Sequence, residues 1–386
     1  MKTVYFDHAA TTPVDERVLE AMIPYFTENF GNANSPHQIG NEAKVAVEKA
    51  RDTVAHLIGA EPSEIIFTSG GTESDNSAIK GVVDATGKTE VVTSPLEHHA
   101  VMHTAEALKR SDIQPVYVEP DSNGRIQPEE VAAAITDNTA IVSLMHVNNE
   151  VGAINPIGEI AEVCNNHSVP FHSDTVQSIG KLPVDVDQLG LDFLSMSGHK
   201  IYGPKGIGVL YMRHGTPWVP WMHGGSQERR RRGGTLNVPG IVGLAKALEL
   251  SVSNMDEHIS HFKKLRSRLI NGLDEKFGNQ YQVNGSREHG VPHIVNVSFI
   301  EDGEGLDGEM LLLNLDVEGV CVSGGSACSS GAVEPSHVLS GIGLDDTVAN
   351  STIRISMGKD NTEEDIDYLL DKLETVVDRM LKATIA

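Results

Sequence analysis

Seven short runs rich in β-branched residues recur between residues 64 and 212. They are EIIFT (64–68), EVVTS (90–94), QPVYVE (114–119), AIVSLMHV (140–147), VPFHSD (169–174), LDFLSMS (191–197) and GIGVLYM (206–212). Stretches of helical character lie between them. Several runs are apolar throughout, as expected for strands covered on both faces. Such alternation predicts βαβ units, hence an α/β fold with a mainly parallel seven-stranded sheet flanked by helices. A helical pattern over 239–277, opened by Pro239 and stopped near Gly278, bridges to a smaller α+β domain. The expected division is 13–255 for the large domain and 1–12 with 256–386 for the small one. The small domain contains the runs IVNVSFI and STIRISMG and a terminal helix. That helix opens on Thr362 with Asp365 three residues later, a capping-box pattern.

Composition narrows the function classes. The chain has 386 residues, enough for two domains, and no run of about 18 apolar residues that would span a membrane. Its start, MKTVYFDHAATTP, lacks the apolar core of a signal peptide. Three cysteines, Cys164, Cys321 and Cys328, are too few for a disulfide framework and point to a reducing, cytoplasmic setting. The net charge of −24 disfavours nucleic acid as a direct partner, and the one basic run, Arg229 to Arg232, is too short to reverse that.

In open parallel sheets ligands collect beyond the carboxyl ends of the strands. Five of the runs end in polar clusters: TSGGTES, SPLEHHAVMH, NNE, DTVQS and SGHK. The glycine pair and threonine of SGGTES (69–74) offer N–H groups and a hydroxyl to an anion at a helix start, or simply make a tight turn. Asp174, just past an apolar run, either caps a helix or is buried against a cation. Lys200, behind His199, is a turn lysine on the surface or a partly buried amine able to attack a carbonyl. An anion cradle, a carboxylate and an amine at neighbouring strand ends are what pyridoxal 5′-phosphate requires.

The run LDFLSMSGHKIYGPKGIGVL resembles the lysine signature of the class V aminotransferase group of fold-type I pyridoxal-phosphate enzymes. Over the whole chain YFDHAATTP, FGNANSPH, FTSGGTESDN, EHHAV, MHVNNEVG, HSDTVQSIGKLPVD, RRGGTLNVPGIVG, SGGSACSSG and STIRISMG resemble the NifS/IscS-type cysteine desulfurases. The resemblance implies that Lys200 forms the Schiff base with the cofactor and later moves the α-proton. Asp174 then partners the pyridine nitrogen, Gln177 the phenolic oxygen, and His98 stacks on the ring and assists proton transfer. Gly71, Thr72, Ser197 and His199 bind the phosphate, joined by Thr235 from the partner subunit of a homodimer. Asn149 contacts a ring oxygen or the substrate, and Arg354 clamps the carboxylate of L-cysteine. Cys328 takes the sulfur as a persulfide, releasing L-alanine, and hands it to an acceptor protein, an iron–sulfur scaffold or a thiolation enzyme. Two positions depart from many relatives: His8 stands in place of asparagine and Leu236 in place of glutamate.

Cys328 lies in a glycine- and serine-rich stretch with no hydrophobic period, the composition of a loop rather than of a core. The resemblance allows it to ligate a transient iron–sulfur cluster as well, with no catalytic metal expected. Cys164 and Cys321 sit among apolar neighbours and are expected in the core. His99 and His103 have the i, i+4 spacing of a helical metal pair but no third ligand in sequence, so they read as ordinary histidines. Rival readings are a selenocysteine lyase, a kynureninase-like hydrolase and a pyridoxal-binding scaffold. The thiol in SGGSACSSG argues against each.

Overall fold

The computed structural model describes residues 2–301, 304–324 and 335–384. A two-residue strand, β1 (Val4–Tyr5), precedes the strands of a central sheet. These are β2 (Ile65–Thr68), β3 (Glu90–Thr93), β4 (Gln114–Tyr117), β5 (Thr139–Ser143), β6 (Phe171–Asp174), β7 (Phe193–Ser197) and β8 (Gly208–Met212). Every β-branched run forms a strand, and the sheet order is β2-β8-β7-β6-β5-β3-β4. Only β8 runs against its neighbours β2 and β7. The run 140–147 gives a five-residue strand, yet Leu144 N and His146 N still bond His172 O and Asp174 O, so it tracks β6 to its end.

Successive residues of one strand enter different cores. Phe67, Val92, Val142 and Leu194 belong to one cluster, and Ile66, Val91, Ile141 and Phe193 to another. A period of two with both faces apolar is what covering the sheet on both sides demands.

A second sheet holds β9 (Tyr281–Asn284), β10 (Ile294–Glu301), β11 (Glu304–Gly305) and β13 (Thr352–Ser356), all antiparallel about β10. Its core takes Phe262, Leu265, Leu269 and Leu273 from one face of the helix Met255–Phe277, plus Leu369 and Leu373 from the terminal helix. The expected helix over 239–277 is two helices, Val238–Ser253 and Met255–Phe277. Asn254 breaks it by bonding Leu250 O with both its backbone N–H and its side-chain amide. The capping box forms: Thr362 N donates to Asp365 Oδ2 at 3.1 Å and Asp365 N to Thr362 Oγ1 at 3.2 Å.

The N-terminal segment joins the two sheets. β1 pairs in parallel with β12 (Val320–Cys321), and Asp7 bridges to Ser356. Residues 9–12 then run beside Lys200. Among the described residues no helix is long and apolar enough to cross a membrane.

Candidate active site

The polar clusters meet at the carboxyl edge of the central sheet. Beyond β2 the chain turns at Gly70 into the helix Gly71–Thr86, which begins without a side-chain cap and so leaves its first N–H groups for a ligand. Gly70 has φ +154°, and a Cβ there would point at Ser197 Oγ, 3.8 Å away. A Cβ on Gly71 would meet Val176 Cγ2 at 2.9 Å, so glycine is needed for the helix start to approach β6. Thr72 is the second residue of that helix. The helix start and Ser197 therefore border one cradle.

β7 ends at Ser197 and enters a single 3-10 turn, Gly198–Lys200. Lys200 Nζ donates to Ala9 O at 2.6 Å and Ala10 O at 2.7 Å. His199 Nδ1 lies 3.1 Å from Thr11 Oγ1, and its carbonyl accepts from Thr12 N and Thr12 Oγ1 at 3.0 Å each. Burial, then Lys200, pushes the His199 pKa down to about 4, so the ring is neutral at pH 7.

Asp174 closes β6 with 6 % of its surface exposed, and one carboxylate oxygen accepts from Val176 N at 2.9 Å. Burial raises its pKa to about 6 although Lys200 pulls the other way. Asp75 lies close behind, its pKa also raised by burial and then by the charge of Asp174. Donor atoms of Asp75, His98 and Asp174 all lie within 4.8 Å of one another. His98 caps the helix His99–Leu108, its Nδ1 accepting from Ala100 N at 3.1 Å, which leaves any proton of the neutral ring on Nε2. Its outer side is solvent-exposed, and desolvation followed by Lys200 lowers its pKa.

Gln177 donates from Nε2 to Ala9 O at 2.9 Å and accepts on Oε1 from Lys181 Nζ at 3.3 Å. Arg354, on β13 and 3 % exposed, donates to Asn149 O at 2.9 Å and to Asp7 Oδ1 at 2.8 Å. Among the described residues its buried Nε has no hydrogen-bond partner, which leaves a donor for a bound carboxylate. Asn149 is thus beside Arg354 through its backbone. No described contact joins Thr235 to the cluster; it is exposed on the loop that follows Arg232. Cys328 lies outside the described residues.

Several site neighbours carried no sequence signal. Asp7 holds Arg354 and also accepts from Ser323 Oγ at 2.8 Å. Lys181 follows a turn glycine, Gly180, with φ +69°. Cys164 is buried as expected and its thiol is pushed up to about 12 by burial. Cys321 is a correction: it is only partly buried, because β12 is a marginal two-residue strand. His99 and His103 stack at 4.7 Å, and His337 comes within 4.8 Å of His99 from far along the chain.

The chain belongs to the aminotransferase class-V family, whose model matches residues 4–369. Within it, the chain is 45 % identical over 381 residues to the protein named cysteine desulfurase IscS of Dictyoglomus turgidum, covering 98 % of this chain and 95 % of that protein. A solved NifS-like protein superposes with a TM-score of 0.91 at 41 % identity, covering 98 % of this chain and all of that one. A structure described as SspA in complex with cysteine gives a TM-score of 0.81 at 37 % identity, over 92 % of this chain and 99 % of that one.

Proposed function

We propose that the protein is a cysteine desulfurase that uses pyridoxal 5′-phosphate and builds its site from the strand-end cluster. The observation that carries this reading is Asp174: a nearly enclosed carboxylate that burial disfavours, set within 4.8 Å of His98 and close enough to Lys200 to feel its charge. Such a carboxylate suits a protonated ring nitrogen, the uncapped helix start with Gly71, Thr72, Ser197 and His199 suits a phosphate, and Lys200 suits an aldehyde. When bound, the cofactor supplies an electron sink for the carbon next to the substrate nitrogen. Gln177 holds the phenolic oxygen. Lys200 and the Nε2 of His98 are the groups placed to hold and move the α-proton. Arg354 receives the substrate carboxylate, with Asn149 beside it.

Cys328 completes the chemistry as a thiolate attacking the sulfur of cysteine. An S–S bond forms, the C–S bond breaks, and the carbon keeps that electron pair and takes a proton to become the methyl of alanine. The sulfur then passes to an acceptor protein, an iron–sulfur scaffold or a thiolation enzyme, in a cytoplasm that keeps the thiol reduced. The division into 13–255 and 1–12 with 256–386 assigns Arg354 and Cys328 to the smaller part.

The working unit in this reading is a homodimer. Leu19, Ile23, Phe26 and Phe30, on and just beyond the short helices Glu16–Met22 and Pro24–Thr27, are 48 %, 51 %, 59 % and 65 % exposed, with Val45 at 67 %. A stripe of that kind fits a second copy, which would carry its Thr235 to this cradle.

The test is the release of sulfide and alanine from cysteine by the pyridoxal-phosphate-loaded protein, which is expected to be yellow. Cys328→Ser keeps the colour and a spectral change on adding cysteine but makes no sulfide. Lys200→Ala abolishes turnover. Alanine formation by Cys328→Ser at the wild-type rate would mean the thiol is not the nucleophile.

A further inference from the structure

Behind Gln177 lies a lysine that the chemistry above does not use. Gly180 turns the chain sharply after β6. A Cβ there would meet Ser251 Cβ at 2.7 Å, so the left-handed turn is reserved for glycine. The turn returns Lys181 beneath Gln177, one helical repeat earlier, and its ammonium donates to Gln177 Oε1 at 3.3 Å.

Two features separate Lys181 from an ordinary surface lysine. First, among the described residues no carboxylate lies within ion-pair distance of it; its titratable neighbours are His8, His199, His293 and Lys200, all bases. His8 is 8 % exposed and His293 3 %, and each has a buried ring nitrogen with no partner among the described residues. Burial, then Lys200, lowers the Lys181 pKa to about 7. Second, Lys181 and Lys200 are joined through three hydrogen bonds. Lys181 donates to the Gln177 oxygen, the Gln177 nitrogen donates to Ala9 O, and Ala9 O also accepts from Lys200 at 2.6 Å.

An ammonium only donates and a carbonyl only accepts. With Lys181 on one side and Ala9 O on the other, the Gln177 amide has a single satisfied orientation. Its oxygen faces away from Lys200, and its NH2 group spends one N–H on Ala9 and keeps one over. Without Lys181 only the bond to Ala9 O holds that orientation, and the amide oxygen is left without its donor.

We propose that Lys181 is a positioning residue: it holds the Gln177 amide with its N–H edge toward the cofactor's phenolic oxygen and, while protonated, adds a positive charge behind Lys200. This rests on the reading that Lys200 carries pyridoxal phosphate. Both effects act in one direction. A hydrogen bond to the phenolic oxygen and a nearby cation each loosen the proton on the Lys200 nitrogen, so removing Lys181 tightens it. The other groups facing that nitrogen are Asp174, which holds the proton, and His98 and His199, both neutral at pH 7; Lys205 also acts on His199.

The visible absorption of the loaded protein, titrated against pH, reads this directly without turnover. Lys181→Met should move the midpoint upward by about one pH unit, a tenfold tighter hold on the proton. Lys181→Arg, which keeps donor and charge, should restore the wild-type midpoint. In a Gln177→Leu background the Lys181→Met shift should shrink. A Lys181→Met midpoint within about 0.2 of wild type overturns the proposal. Should that variant not fold, as judged by circular dichroism, Lys181→Gln keeps a polar donor but drops the charge. It should still raise the midpoint, and a wild-type midpoint there overturns the proposal equally. Loss of fold in both would make Lys181 purely structural, which also overturns it. Failure of the wild-type chain to take up pyridoxal phosphate would instead sink the cofactor reading itself.

Discussion

Asp174 serves binding at the expense of the empty fold. Its pKa of about 6 stands above the ordinary 3.8 because burial disfavours the charge. A carboxyl shifted upward contributes its stability at low pH and loses it as pH rises through about 6. At pH 8 the cofactor-free chain therefore bears the full penalty. Asp174→Asn removes the charge and keeps an oxygen for Val176 N. We expect the cofactor-free variant to melt about 3 °C above wild type at pH 8 and level with it at pH 4, by scanning calorimetry. Loaded with cofactor, the same variant should lose activity by about a thousandfold, because a neutral amide does not hold the ring nitrogen protonated. A variant melting below wild type at pH 8 would contradict this account. At this scale sequence was a partial guide. Asp174 and Lys200 stood out because they end apolar strands. Lys181 and Asp7 did not, since what gives each its role is a partner far away in sequence or a turn without period.

The segment Gln227–Arg230 holds three successive non-glycine residues, Glu228, Arg229 and Arg230, at φ +44°, +56° and +67°. Each left-handed residue costs about 1–2 kcal/mol, so something must hold them. Arg51 does: its guanidinium makes two bonds of 2.9 and 2.7 Å to the Glu228 carboxylate, with side chains only 4 % and 1 % exposed. Phe67 N also donates to Glu228 at 3.0 Å, tying the loop to β2. Arg232 pairs with Glu73 at the same end of the sheet, and Arg231 donates to Ser63 O. Glu228→Ala should lower stability by about 3–5 kcal/mol in denaturant unfolding, leaving a buried guanidinium unpaired. Replacing both Arg51 and Glu228 by methionine should recover much of that, and a double variant no better than the single would argue against this ion-pair view. The sequence displayed this arginine run only as a charge cluster, because the acidic partners of Arg232 and Arg229, Glu73 and Glu48, lie 159 and 181 residues away. The seven strands, by contrast, were legible since their β-branched runs encode burial locally. The break at Asn254 was not, because a single asparagine side chain decides it.

Association of two copies has to overcome like charge. Each chain carries −24, and charges beyond about 10 Å interact freely only at low salt. The dimer of our reading should therefore tighten as salt rises from about 0.02 to 0.5 M, measured by light scattering over a dilution series. Phe26→Glu combined with Phe30→Glu should leave a monomer that retains cofactor poorly. A wild-type chain that stays monomeric at high salt would refute the homodimer.

The path of the N-terminal segment also bears on how the chain can be made in a cell. Residues 4–12 leave the ribosome well before their partners: β1 needs Val320 and Cys321, Asp7 needs Arg354, and Ala9 and Ala10 meet Lys200. Asp7 thus waits for a partner 347 residues further along the nascent polypeptide. Until residue 356 has emerged, residues 5–8 lack the strand they pair with and Asp7 lacks its guanidinium partner. A polypeptide released early, with its central sheet already formed, would be left without Arg354 and without the strand that anchors its own beginning.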